Sequence, residues 1–297
     1  MKNLLEPIAL PVIRYATRSY VAGDEVSDAA LLARHARDNG YACTLCYWND
    51  GKEDPEFVAA QYRAAIDAMH EAGLDGALAM KTPALWDRAE LAASVVRYAR
   101  DRKIRVMFDS HAPKQSDDIF RAIDLCGPEG VGLALPGRWQ RSRMDAERAI
   151  ELGLDVRIVK GQWADEPDIG YDILTGYMEL AAILAGRARH VGVATNEAQL
   201  SEKAIRCMQA ASTPCEQEVI YPAAREKVIA VAEKLKVASR LYIPFGSAWL
   251  PYSLSRAMAR PQVLMWLMRD IFTPNRFKMP ARNDAKPRGP AAVNFKQ

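Results

Sequence analysis

With 297 residues, 49% of them hydrophobic and 26% charged, the chain has the composition of an ordinary globular protein and the length for one large core. A net charge of +3 is too small to argue for nucleic acid, and no run approaches the roughly 20 apolar residues a membrane span needs. Five cysteines, an odd number without framework spacing, read as reduced and cytosolic, and the opening Met1–Pro7 lacks a signal-peptide core.

Residues 1–40 read as an extended lead followed by a helix over Asp28–Asn39. The first strand-like run, Ala42–Tyr47, holds Cys43 and Cys46; residues three apart on a strand face opposite sides, so this pair reads as core packing rather than a redox or metal site. Seven more β-rich runs follow, at Gly76–Lys81, Ile104–Asp109, Gly130–Leu135, Asp155–Lys160, His190–Thr195, Glu216–Ile220 and Leu241–Phe245. Amphipathic stretches lie between them at Pro55–Ala72, Arg88–Arg102, Arg141–Leu152, Leu200–Ala210 and Ala223–Lys236. This alternation predicts parallel βαβ units, and eight of them predict a closed (β/α)8 barrel over residues 41–272. No G-x-G-x-x-G follows the first strand, which argues against an open nucleotide-binding sheet. From Thr273 to Gln297 the composition turns to Pro, Asn, Arg and Lys, with six Lys/Arg and one Asp, a solvated basic tail.

A barrel of this kind does its chemistry at the C-terminal ends of its strands. Lys81 ends strand two above inward-facing Ala77 and Ala79, whose small side chains leave room in the mouth. Asp109 ends strand three, Lys160 strand five, and Thr195 with Asn196 strand six; Glu216 and Glu218 lie on strand seven and Tyr242 on strand eight. Buried charges need partners, and Lys81 with Asp109 on adjacent strands is one such pairing. Arg157 is unexplained by packing among Val and Ile; its planar fork suits a phosphate, a carboxylate or a flat ring, or an ion pair with Glu218. Arg256 follows strand eight on a helix, one turn after Tyr252, as a carboxylate clamp would require. Asp109 and His111 form a D-x-H that would serve a metal-dependent barrel hydrolase, although no second histidine cluster supports it. A barrel that binds without catalysing is the third reading.

Several segments resemble the proline dehydrogenase family. Val156-Arg-Ile-Val-Lys-Gly161, followed by Trp163, resembles that family's fifth strand, and Leu241-Tyr-Ile-Pro-Phe-Gly246 with Tyr252-x-x-x-Arg256 its last strand and helix. Ala79-Met-Lys81, Phe108-Asp109, Val193-Ala-Thr195 and Glu216-Gln-Glu-Val-Ile-Tyr221 resemble strands two, three, six and seven, collinear from about Arg18 to Pro261. The resemblance implies FAD at the strand tops and oxidation of a cyclic secondary amino acid to an imine, with electrons passed to a quinone. It implies that Arg157, Lys160, Gly161, Trp163, Thr195, Asn196, Glu216 and Glu218 contact FAD. It implies that Lys81, Asp109, Tyr242, Tyr252 and Arg256 surround the substrate. A cytoplasmic enzyme, or one peripheral at the inner membrane, is expected.

The chain departs from the family pattern at four positions. Two consecutive arginines on the last helix are here Ser255-Arg256, and a glutamate one turn further is Ala259. The strand-four glutamine is Pro136, and the histidine after Ala-Thr is Asn196. Free proline and an altered substrate both stay open; the thinner carboxylate clamp points to the second, which would be a modified ring, an amide, or an aminoacyl group tethered to a carrier.

Overall fold

The computed structural model describes residues 22–49, 51–162, 170–221 and 226–246. Trp163, Tyr252, Ser255, Arg256, Ala259, the chain before residue 22 and the basic tail lie outside the described residues.

Helix α1 (Val26–Asp38) leads into eight strands, β1 (Ala42–Tyr47), β2 (Gly76–Met80), β3 (Arg105–Phe108), β4 (Val131–Pro136), β5 (Asp155–Val159), β6 (Val191–Ala194), β7 (Cys215–Ile220) and β8 (Ala238–Phe245). Between them run α2 (Pro55–Glu71), α3 (Ala89–Asp101), α4 (Ser116–Cys126), α5 (Ser142–Glu151), α6 (Ile173–Leu184), α7 (Ala198–Ala210) and α8 (Glu226–Lys234). All strand pairs are parallel and β8 closes on β1, as a (β/α)8 barrel requires. The chain is drawn shut at both ends of its described length, with Ala22 N donating to Pro244 O at 3.1 Å and Gly246 N to Gly23 O at 3.1 Å. The sequence did not single out α4 or α6, and β8 starts three residues earlier than its apolar run.

Local chemistry sets the helix starts. Asp54 accepts from Glu56 N at 2.8 Å with Pro55 in the first turn, and Asp172 accepts from Thr175 N at 2.7 Å. Each helix then lays an apolar stripe on the barrel; in α2 this is Val58, Tyr62, Ala65, Ile66 and Met69, all fully buried. Gly137 lets the loop after β4 press against α6, where a Cβ would stand 2.6 Å from Tyr177 N.

The two faces of the strands carry opposite chemistry. The outer face packs on the helices through residues such as Leu45, Leu78, Phe108, Ile158 and Leu241. Cys43 belongs to this face, donating to Ala33 O of α1, and burial pushes its thiol up to about 12. Barrel interiors are usually filled with bulky branched side chains. Here the inner face alternates small residues, Ala77, Gly132 and Gly192, with charged ones, Arg105, Asp155, Arg157, Glu216, Glu218 and Arg240. The charged residues stack in two layers.

The lower layer is an ion-pair network. Arg240, 3% exposed, donates to Glu216 Oε1 at 2.7 Å and to Cys43 O at 2.8 Å. Arg105 reaches Asp75 at 3.2 Å and Asp155 at 3.6 Å. Glu216 was expected among the flavin contacts at the strand tops. It is instead the second residue of β7, near the N-terminal end of the barrel, held there by Arg240.

Burial alone would raise the Glu216 carboxyl, but Arg240, with His190 and Arg105, holds it at about 2, below its ordinary 4.5. The stability this supplies is present above about pH 4.5 and is lost as the pH falls toward 2. Glu216→Gln strands a buried guanidinium and is expected to cost about 3–5 kcal/mol in denaturant unfolding at pH 7. The gap between variant and wild type narrows on acidification; equal stability at pH 7 would remove the network from the folding energetics.

Candidate active site

The upper layer lies further along the strands, by two residues on β5, β7 and β8 and by four at the end of β3. Arg157, in the middle of β5 and 3% exposed, sends Nε to Glu218 Oε2 at 2.7 Å and Nη1 to Asp109 Oδ1 at 2.6 Å. Tyr242 donates its hydroxyl to Asp109 Oδ2 at 2.6 Å, the short geometry of a charge-assisted bond. The Arg157 guanidinium also sits 5.3 Å from the Tyr242 ring centroid. Strands β3, β5, β7 and β8 are thus joined across the lumen through four side chains.

Electrostatics follow from this packing. Burial opposes the Arg157 charge, but the Glu218 and Asp109 carboxylates outweigh it and hold the guanidinium above its ordinary value. Burial first, then the Asp109 carboxylate, pushes the Tyr242 hydroxyl well above its usual range, so it remains a donor at neutral pH. His111 is lowered by burial and by the Lys81 ammonium.

Lys81 and Asp109 do not pair. Arg157 occupies one Asp109 oxygen and Tyr242 the other, and Lys81 turns to β1, where Nζ donates to Cys46 Sγ at 3.6 Å and lies 5.0 Å from the Trp48 ring centroid. The Cys46 thiol stands between them, 3.9 Å from Asp109 Oδ2, and burial raises it above its ordinary value. Cys46 is therefore part of the site and not of the outer core. With both oxygens of Asp109 engaged, the Asp109–His111 metal reading loses its carboxylate, and no cluster of three metal-ligating side chains occurs among the described residues.

On the next strands the rim is more open. Lys160, half-buried, pairs with Glu197, and Thr195 Oγ1 accepts from Glu197 N at 3.1 Å. Asn196 is exposed. Gly161 adopts φ +85, and a Cβ there would stand 2.7 Å from Pro136 Cβ, so only glycine fits this turn. Gln217, on the outer face, ties β6 down through Val193 O at 2.8 Å and Thr195 O at 3.1 Å. Of the residues expected at the site, Lys81, Asp109, Arg157, Glu218 and Tyr242 come together, Lys160, Gly161, Thr195 and Asn196 line the β5–β6 rim, and Glu216 sits below. Cys46, Trp48, Glu197 and Arg240 went unrecognised in the sequence; the period-two spacing of Thr44 and Cys46 is the signal that places Cys46 inward.

Arg157→Met removes the common counter-ion of two buried carboxylates. It is expected to cost about 3–5 kcal/mol in urea unfolding at pH 7. A loss below about 0.5 kcal/mol would show that the bridge contributes nothing to stability.

No protein-family profile matches the chain. It is 20% identical over 276 residues to proline dehydrogenase 1 of Bacillus subtilis strain 168, covering 87% of this chain and 91% of that one, and equally to the natto enzyme. Among solved structures it matches proline utilization A (PutA) from Bdellovibrio bacteriovorus inactivated by N-propargylglycine, with a TM-score of 0.68 and 12% identity over 86% of this chain. PutA from Corynebacterium freiburgense matches with a TM-score of 0.64 and 15% identity over 91%. The chain spans about a third of the length of these PutA chains, 32% and 35%. The chain is thus similar to proline dehydrogenase 1 of Bacillus subtilis along most of its length, and its barrel to the barrel matched in the PutA chains.

Proposed function

We infer that the protein is an FAD-dependent dehydrogenase that oxidises proline, or a proline-like secondary amine, to an imine. The observation that carries this reading is Arg157, buried in the barrel and fixed by Asp109 and Glu218, with the Lys81 ammonium on Cys46, whose thiol lies against Asp109. The rim fits a flavin nucleotide. The Gly161 turn presents backbone where any side chain would collide with Pro136, and Lys160, Thr195 and Asn196 add a cation, a hydroxyl and an amide. Arg157, Lys160, Gly161, Trp163, Thr195 and Asn196 are the residues that would hold it, with Glu218 behind Arg157 as its counter-ion. When bound, FAD supplies a two-electron hydride acceptor.

The chain's own groups prepare the substrate. The Lys81 ammonium disfavours a second positive charge nearby and so favours the neutral amine over its conjugate acid. Tyr242, its hydroxyl locked on Asp109, presents a ring wall to the substrate. Arg256, four positions after Tyr252 in the sequence, is the residue we assign to the carboxylate. Ser255 and Ala259 put smaller, uncharged side chains where the family pattern has an arginine and a glutamate, which favours a larger amine or one whose carboxylate is esterified, amidated or carrier-tethered. A quinone is the expected final acceptor. No described helix is long and apolar enough to cross a membrane, and a cytoplasmic or peripheral inner-membrane location suits that acceptor.

Heat-released ligand from protein saturated with FAD and then desalted is expected to contain FAD by mass spectrometry. Its visible spectrum is expected to bleach on anaerobic addition of a substrate amine; no retained flavin would overturn the reading.

Arg256→Lys keeps the charge but loses the planar fork, and is expected to lower kcat/KM for a carboxylate substrate by roughly tenfold or more. Ser255→Arg is expected to raise the rate of flavin reduction by free L-proline by about tenfold, the worth of one charge-assisted hydrogen bond. A wild type that already prefers free proline to every other amine would sink the altered-substrate reading while leaving the dehydrogenase intact.

A further inference from the structure

Between the two charged layers lies a cavity of about 20 Å³, room for one water molecule. The wall is opened by Ala77, Gly132 and Gly192, where larger side chains would have filled the lumen. Two residues that line it carry polar atoms with no hydrogen-bond partner within the protein, Thr44 Oγ1 on β1 and Glu218 Oε1 on β7. Both residues are deeply buried, at 0% and 4% exposure. Buried oxygens of this kind are satisfied in nearly all native proteins, by protein groups or by ordered water.

The charges around the cavity decide what fits. Arg105, Arg157 and Arg240 are balanced by Asp155, Glu216 and Glu218, so the space favours a neutral polar occupant over a cation or an anion. An apolar cavity of this size would stay dry; this one offers the several polar partners that a buried water requires.

We propose that the cavity holds one ordered water, donating to Glu218 Oε1 and bonded to Thr44 Oγ1, and that Thr44 is a positioning residue for the Glu218–Arg157 pair. Glu218 is then held from both sides, by Arg157 on Oε2 and by the water on Oε1. The guanidinium above it is aimed by a carboxylate that cannot rotate. The water belongs to the barrel itself; only its effect on the flavin rests on the dehydrogenase reading.

Three variants separate the possibilities. Thr44→Val keeps the shape and removes the hydroxyl, and Thr44→Ser keeps the hydroxyl. Gly192→Ala places a methyl in the cavity without collision, its Cβ 3.5 Å from Glu218 Oε2 and 3.7 Å from Arg157 Cα. Crystal structures of the FAD-bound wild type and variants are expected to show a water between Thr44 and Glu218 in the wild type and Thr44→Ser, and none in Thr44→Val or Gly192→Ala. In the same proteins the flavin absorption band is expected to shift, and anaerobic reduction by the amine to slow about tenfold, in Thr44→Val and Gly192→Ala, with recovery in Thr44→Ser. A wild-type cavity without water, or a metal ion in its place, overturns the proposal. So does a Thr44→Val protein whose flavin spectrum and reduction rate match the wild type. If the protein takes up no flavin, the dehydrogenase reading fails, and the crystal structures of the flavin-free proteins alone decide the water.

Discussion

Everything at the mouth of this barrel depends on one buried guanidinium. Arg157 reaches across the lumen to Asp109 after β3 and to Glu218 on β7, and through Asp109 to Tyr242 on β8. Removing such charges from water costs several kcal/mol each, and only close, well-directed pairing offsets it. The rest of the interior is shaped by that requirement. Alanines and glycines take the inner positions that bulky side chains would claim, and a second ion-pair layer around Arg240 lies beneath the first. The strands therefore have two solvents, apolar helices outside and a charge-matched lumen inside.

This arrangement explains which parts were legible in the sequence. The strands announced themselves because their outer faces are runs of Val, Ile and Leu, and parallel strands need such faces to bury. Arg157 and Glu218 stand out as charges inside those runs, and their pairing is one of the readings the sequence leaves open. The choice of partner for Asp109 was not readable. Sequence order suggests pairs between adjacent strands, so Lys81 is matched with Asp109, whereas Arg157 points into the lumen and reaches Asp109 past the intervening β4.

Other misses have equally physical causes. Cys46 looks like a small hydrophobe, and only the strand's alternation turns it toward Lys81 and Asp109. Arg240 sits in Ala-Ser-Arg, a stretch too polar to read as the start of β8; it becomes strand because Glu216 and two backbone carbonyls are waiting for it. The expectation for Glu216 failed by one period. Two residues along β7 separate the floor of the lumen from its mouth, and both positions carry glutamate.

The closing of the ring has a bearing on how the protein is made. Strand β1 is flanked by β2 on one side and β8 on the other, and β8 is the last described element of the barrel. While a ribosome is still extending the chain, β1 and β7 each present a raw edge. Glu216 has been synthesised before the arginine that neutralises it, and Asp109 before both of its partners. The lumen is therefore electrostatically incomplete until nearly the whole barrel has emerged. A nascent barrel of this design holds mismatched carboxylates at its centre, so half-built forms gain little from collapsing early. Assembly of the site and completion of the fold become a single late event.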